Sequence, residues 1–443
     1  MEKYVARLVN LVPEDRQHLF DLTPDEARER LMLGDPDGVR SIAGSFALVA
    51  RQDDEVVLAR SLDRPLRYFL AKEVEGPMLV VGETMREIAD FLEHEGYGHQ
   101  FHPSYTRMVP AHHATTIRLV GCPDPNPTYT RFVAPTGDEI GTDLDTIGAS
   151  YVGAMRRQVS AWLDSVPKDE PIGVLFSGGI DSGSVFLAVY WELLDRGEGP
   201  ARLKAFTLSA GGGKDLDQAR EFLRRLDLEM FLEPIEVETE AIDARAAVEV
   251  IEDYKPLDVE CAAVNLALLE GIRSRYPEWR YLVDGDGGDE NLKDYPIEEN
   301  EELTIRSVVN NPFLYQEGWG VDALKHSLTY SGGMSRGCVR TSAPARAYGF
   351  SGFSPFTAPP VVEVAAAIPF KELAQGDHDR LYSLKGEIVS RGIRQVLGLE
   401  FPVFTKRRFQ HGAISESAFK ARLGGEEETY RAHFMSLFPP RTV

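Results

Sequence analysis

The spacing of hydrophobic positions changes character near residue 146 of this 443-residue chain. Between residues 40 and 120 the apolar runs are short and bounded by turn residues: "SIAGSFALVA", "EVVLARS", "LRYFLAK", "PMLVVGE" and "ATTIRLV". Runs of this kind predict strands in a mostly antiparallel arrangement. One helical stretch, "ETMREIADFLEHEG" (83–96), interrupts them. A second, "TPDEARERLML", precedes them, with Thr23 placed to cap, Pro24 in the first helical position and acids in the first turn. Residues 121–145 are dense in Pro, Gly and Asp and predict a linker or crossing segment.

Beyond residue 146 the pattern alternates. The helical period of "DLDTIGASYVGAMRRQVSAWLDSV" leads into "IGVLFS", and helix 183–196 is followed by "LKAFTLS". "DLDQAREFLRRLD" precedes "MFLEPIEV", and two helices, 239–253 and 260–275, precede "RYLVDG". Strands alternating with helices predict a doubly wound parallel sheet. Past residue 300 the chain reads as helical and irregular. The expected fold class is α/β in two domains: a β-rich domain at 1–135 and a parallel-sheet domain with a helical C-terminal part at 146–443.

Charge narrows the partners. Against 48 basic side chains stand 70 acidic ones, a net charge of −22. A field of that sign repels nucleic acid and anionic membrane. The N-terminal run "MEKYVARLVN" carries charges and is not a signal peptide, and no window of 18 uncharged apolar residues occurs. Cys122, Cys261 and Cys338 form no CxxC and no disulfide framework, so a reducing, cytoplasmic compartment is expected. His112 and His113 lack metal-ligand spacing and read as ordinary residues.

The chemistry concentrates in "VLFSGGIDSGSVFLAVYW" (174–191). An apolar strand stops at Ser177-Gly178-Gly179-Ile180-Asp181-Ser182, and a helix follows. Glycines let backbone N–H groups approach an anion, and the helix N-terminus adds its positive end. Asp181 among those donors would repel bare phosphate, and makes sense as a ligand for Mg²⁺ bridging to phosphate oxygens. No GxxxxGK[ST] and no GxGxxG occurs; "SAGGGKD" (209–215) is a near miss, read as a flexible loop capping the next helix.

The hexapeptide 177–182 resembles the pyrophosphatase loop of ATP-pyrophosphatase domains. "LVDGDGGDENLKDY" (282–295) resembles the acidic turn of asparagine synthetases. "FTKRRFQHG" (404–412) is similar to the segment that carries that family's catalytic lysine. "PARAYGFSGFSPFTAPPVVEVAAAIP" is similar to its GxExRxPFLDxxVVE stretch, and all occur in family order over roughly 35–415. The resemblance implies ATP and Mg²⁺ as cofactors: ATP adenylates a carboxylate and releases pyrophosphate, and an amine or ammonia displaces AMP. By that resemblance Asp181 and Asp289 share the metal, Lys406 faces the α-phosphate and the developing oxyanion, and Asp286 orients or deprotonates the amine. Leu175, Ser177, Gly178, Gly179, Ser182, Leu208 and Gly285 would surround the nucleotide.

Departures matter as much. Glutamine-using asparagine synthetases begin Met-Cys, whereas this sequence begins Met1-Glu2 and has no cysteine before Cys122. No glutamine-pocket stretch precedes residues 38–71, which resemble the later part of the glutaminase domain. The first domain therefore resembles a truncated remnant of an N-terminal-nucleophile domain, without glutaminase activity. Ser351, Gly352 and Phe353 stand where the family has ExR, and Thr357 replaces a leucine, which puts aspartate in doubt as substrate. Glu260 is a candidate to meet a cationic substrate. β-Lactam synthetases and lasso-peptide cyclases are relatives that also lack the leading cysteine.

The leading expectation is an AMP-forming amide synthetase acting on a small-molecule or peptide carboxylate and an amine, with a homodimer admitted. Ammonia-dependent asparagine synthesis and a nucleotide-binding scaffold without catalysis are the alternatives. A thiolating enzyme acting on transfer RNA would want a cysteine pair and a basic surface, and the chain offers neither.

Overall fold

The computed structural model describes residues 7–118, 127–134, 140–295, 297–299, 303–317, 338–404 and 412–439. The first half contains strands β1 (Arg7–Asn10), β2 (His18–Leu19), β3 (Gly44–Ser45), β4 (Ala47–Gln52), β5 (Glu55–Arg60), β6 (Arg67–Lys72), β7 (Pro77–Gly82), β8 (Arg107–Met108), β9 (His113–Arg118) and β10 (Thr128–Arg131). Two four-stranded sheets, ordered β1-β7-β6-β8 and β10-β9-β5-β4, stack face to face. Alternation along each strand decides which side chains meet between them: Ala47, Val49, Val56, Leu58 and Ile117 from one sheet, Tyr68, Leu79 and Val81 from the other. Helices α1 (Pro24–Met32) and α2 (Pro36–Arg40) cover the outer face of the second sheet through Ala27, Leu31 and Val39. Helix α3 (Met85–His94) covers the outer face of the first through Ile88 and Leu92. The layering is helix, sheet, sheet, helix. The capping predicted at Thr23 is a full capping box with Glu26, and Thr84 and Glu87 form another at α3.

Pairing is antiparallel except where β1 lies parallel to β7. The 121–145 stretch is not wholly a linker, because β10 within it hydrogen-bonds to β9, and Phe132 and Val133 enter the core. Its prolines and glycines flank the strand and mask a short alternation.

The second half contains α4 (Leu144–Ser165), β11 (Ile172–Leu175), α5 (Ile180–Asp195), β12 (Leu203–Ala210), α6 (Asp215–Arg224), β13 (Leu232–Val237), α7 (Ala244–Ile251), α8 (Pro256–Arg275), β14 (Tyr281–Val283) and β15 (Ser351–Phe353). Its five-stranded sheet, ordered β13-β12-β11-β14-β15, is parallel throughout. Val174, Ala205 and Val283 face a core built with α4, α5 and the His378–Leu397 helix. Leu175, Phe206 and Leu282 face a core built with α7 and α8. The doubly wound expectation therefore holds, with β15 as an added edge strand that three residues, Ser-Gly-Phe, were too few to announce. The helix expected at 260–275 begins earlier, at Pro256, where the Asp253 carboxylate accepts the Tyr254 and Lys255 N–H groups at 2.7 and 3.0 Å. The 239–253 helix is regular only from Ala244.

The halves pack closely. Arg40 grips Glu363 with two nitrogens, and Arg131 grips Glu317 at 2.6 and 2.7 Å. Phe313, Val362 and Ala366 join the α1 core, and Met85 joins the α8 core. His112 and His113 are both core residues. His113 Nδ1 lies 2.7 Å from the Ala111 carbonyl, and burial pushes His112 down to about 3.

Candidate active site

The strand order reverses between β11 and β14: β12 and β13 lie to one side, β15 to the other. Ligands of open parallel sheets bind beyond the carboxyl ends of the strands at such a reversal. The two loops leaving there are 176–182 and 284–289.

The first loop is the predicted phosphate turn. Gly178 has φ +70°, and a Cβ on it would sit 2.8 Å from the backbone of Ala219, so glycine is required twice over. Ser177 and Ser182 close the turn: the Ser177 N–H donates to Ser182 Oγ at 3.2 Å, and the Gly179 N–H to Ser177 Oγ at 3.3 Å. Gly179 caps α5 without a side chain, so the first-turn N–H groups of this sixteen-residue helix are left for an anion.

The second loop packs directly on the first. A Cβ on Gly285 would meet Asp181 Cβ and the Ser182 nitrogen at 2.8 Å, and one on Gly288 would overlap Asp181 Oδ1. These glycines bring the Asp289 and Asp181 carboxylates onto one point. At that point sits Lys385. Its Nζ donates to Asp181 Oδ2 at 2.5 Å and to Asp289 Oδ1, with Asp294 Oδ2 at 3.5 Å. The lysine side chain is 3% exposed. Burial alone would lower its pKa, but the three carboxylates outweigh that and hold it well above the usual lysine range.

Sequence reasoning did not single out Lys385. It lies on the His378–Leu397 helix in line with Leu381, Leu384, Ile388 and Val389, all buried. A lysine inside an apolar stripe was the available signal. The helix is seated against α4 at backbone contact: a Cβ on Gly148 would lie 2.5 Å from the Ile388 carbonyl, and one on Gly392 would overlap the Gly148 carbonyl. Lys406, the expected catalytic lysine, lies outside the described residues.

Leu175 and Leu208 are buried under the carboxyl ends of β11 and β12, in the core shared with α8. Loop 209–215 is packed rather than loose: a Cβ on Gly213 would overlap the Ala413 carbonyl, and Ala210 bridges to Ile414.

On the far side of the acidic turn lies a second polar group. The Asp286 N–H donates to Asp284 Oδ1 at 3.0 Å, and Ser354 Oγ donates to the same oxygen. Burial pushes Asp284 up to about 7. Burial, then the neighbouring Asp284, hold Asp286 well above the carboxylate range. Arg340 Nε donates to Asp258 at 2.9 Å and Nη1 to Tyr295 at 3.2 Å, and the Tyr295 hydroxyl donates to Glu290. Asp258 is the α8 acid that meets Arg340. Asp286 Oδ2 and Arg340 Nη2 are buried without a partner among the described residues.

Two carboxylates about one cation fit Mg²⁺ of the kind held by protein acids and substrate phosphates together. Among the described residues no cluster of three or more His, Cys, Asp or Glu groups is disposed as a self-sufficient metal centre. No helix among them is long and apolar enough to cross a membrane.

A comparison with curated proteins returned no match. A family comparison did: residues 159–332 match the asparagine synthase family. That span is under half of the chain and runs from α4 through the phosphate turn and β14 past the acidic turn. The family consists of ATP-using ligases that form C–N bonds. The match at residues 159–332, which holds both loops of the site, supports a place for this chain in the asparagine synthetase family.

Proposed function

We propose that the protein activates a substrate carboxylate as an acyl-adenylate and transfers the acyl group to an amine, without hydrolysing glutamine itself. The observation that carries this reading is the convergence of Asp181, Asp289 and Lys385 beside an uncapped helix N-terminus at the reversal of the sheet.

In the first step a carboxylate oxygen attacks the α-phosphorus of ATP, the bond to the α–β bridging oxygen breaks, and pyrophosphate leaves. The N–H groups of the phosphate turn hold the departing β- and γ-phosphates, and the Lys385 ammonium offsets their charge. Asp181 and Asp289 would hold Mg²⁺, which supplies further charge neutralisation. Lys406 serves the α-phosphate and the developing oxyanion. In the second step the amine nitrogen attacks the acyl carbon, and AMP departs with the former carboxylate oxygen.

Asp286 serves the amine. Burial and the neighbouring Asp284 raise its pKa. A substrate ammonium beside it lowers that pKa, as a nearby cation does for any carboxyl. The carboxylate so formed takes one proton from the ammonium, which frees the nitrogen lone pair for attack, and the second nitrogen proton leaves on the phosphate of the departing AMP. Arg340 Nη2 is at hand for an anionic group of one substrate. The carboxylate belongs to a small molecule or a peptide, and the protein is assigned to the cytoplasm.

The N-terminal half is proposed to be a remnant of a glutaminase fold, kept for the flank it covers. Its helix, sheet, sheet, helix layering supports that origin.

Phosphorus NMR on the full chain with ATP, Mg²⁺ and mixed carboxylate and amine panels tests the reading. AMP and pyrophosphate are expected in equal amounts, absent for Asp181→Ala. ADP with orthophosphate would overturn it, and glutamate released from glutamine would overturn the remnant assignment.

A further inference from the structure

The cation between Asp181 and Asp289 is supplied by the chain itself. Lys385 Nζ contacts one oxygen of each, and Asp294 stands third at 3.5 Å. These oxygens cannot bind both a lysine ammonium and a divalent ion, because the two cations would repel each other at contact distance. For a metal to enter, the ammonium must leave, and its destination decides the cost. With the side chain 3% exposed and the helix backbone locked against α4 at Gly148 and Gly392, the ammonium is held largely out of water. Stripped of three carboxylates in a buried place, it would be an unpaired buried charge. A polyphosphate on the neighbouring turn changes this, because phosphate oxygens give the ammonium new anionic acceptors a short side-chain rotation away. Lysine suits such a move, being a compact charge on a flexible four-carbon stem.

We propose that Lys385 closes the Asp181–Asp289 pair to divalent cations until a polyphosphate arrives to take over its ammonium, so that the metal enters only together with nucleotide. The inference rests on the reading that the phosphate turn binds ATP. By linkage, the factor by which nucleotide tightens metal equals the factor by which metal tightens nucleotide.

The test is Mn²⁺ binding, followed by electron paramagnetic resonance of free Mn²⁺ in solutions of the full chain. Three conditions are compared: no addition, inorganic pyrophosphate, and an ATP analogue with a methylene α–β bridge. For the unaltered protein, either polyphosphate is expected to tighten Mn²⁺ at least ten-fold. Lys385→Met is expected to bind Mn²⁺ without polyphosphate at least ten-fold more tightly than the unaltered protein, and Lys385→Met/Asp289→Asn to lose that gain. The proposal falls if Lys385→Met leaves polyphosphate-free Mn²⁺ affinity within two-fold of the unaltered protein's. It falls equally if the unaltered protein binds Mn²⁺ as tightly alone as with polyphosphate, a result independent of whether the variant folds. Calorimetry of the analogue with Mg²⁺ separates the two readings: no analogue binding overturns the ATP assignment, while the polyphosphate-free comparison still decides what Lys385 does.

Discussion

Glu252 ties the two halves of the chain together, and replacing it with alanine tests whether they fold as one. The residue ends α7 with φ +50° and is 2% exposed. Its carboxylate accepts the Met85 and Arg86 N–H groups at 2.6 and 2.7 Å, capping α3 of the other half, and lies 3.9 Å from the buried Arg67. Glu252→Ala leaves one buried and one half-buried donor unmet, the buried one costing about 1–3 kcal/mol and the other less, and weakens the compensation of a buried guanidinium. A loss of about 3–5 kcal/mol is expected, and roughly half as much for Glu252→Gln, which keeps one acceptor oxygen. The assay is urea unfolding followed by two probes. All four tryptophans, Trp162, Trp191, Trp279 and Trp319, lie in the second half of the chain, so their fluorescence reports that half alone. Far-ultraviolet circular dichroism reports both. Coincident transitions that move together to lower urea are predicted. Dichroism and tryptophan transitions that are already separate in the unaltered protein, with a tryptophan midpoint that stays put in Glu252→Ala, would show that the halves unfold separately and that Glu252 does not couple them.

Gly178→Ala places a side chain at φ +70° and 2.8 Å from the Ala219 backbone. It should cost at least about 1–2 kcal/mol in backbone strain and weaken nucleotide binding ten-fold or more by calorimetry. Gly179→Ala, whose Cβ meets only Ser177 Oγ at 3.2 Å, should leave the melting temperature nearly unchanged. Burial pushes Lys293 down to about 7, with Glu290 opposing, so between pH 7 and 10.5 the folded chain holds fewer protons than the unfolded one. Stability therefore rises with pH across that window. Lys293→Met should flatten the rise in pH-dependent urea midpoints and stabilise the protein at pH 7 and below, by about 5 kcal/mol at most. Asp286→Asn should preserve carboxylate-dependent pyrophosphate exchange but slow amide formation about 10²-fold or more in quenched-flow assays, as expected for loss of a proton acceptor.

Elements with strong local signals were legible in the sequence. The longer strands of the first half (β4 to β7 and β9), the alternation of the second and the phosphate turn follow from hydrophobic period, capping residues and glycine placement. The convergence of Asp181 with Asp289, 108 positions apart, was expected by family resemblance. The geometric reason came with the fold: adjacent parallel strands at a reversal, with Gly285 and Gly288 allowing the turns to touch. What stayed hidden depends on distant parts of the chain. Ser351–Phe353 becomes a strand only because β14 offers an open edge, and Thr128–Arg131 only because β9 does. Lys385 reaches the acids only because Gly148 and Gly392 let two helices meet at their backbones. Asp258 carried no signal of its own, because its role is set by Arg340, which comes from a distant part of the chain.

Acyl-adenylate formation is tested most plainly by exchange of labelled pyrophosphate into ATP across a panel of carboxylates, with no amine present. The exchange is predicted to depend on a particular carboxylate, to vanish in Asp181→Ala, and to need no second substrate. Exchange with aspartate alone would assign the chain to ammonia-dependent asparagine synthesis. Tight ATP binding without exchange for any carboxylate would contradict carboxylate activation and leave a nucleotide-binding scaffold in its place.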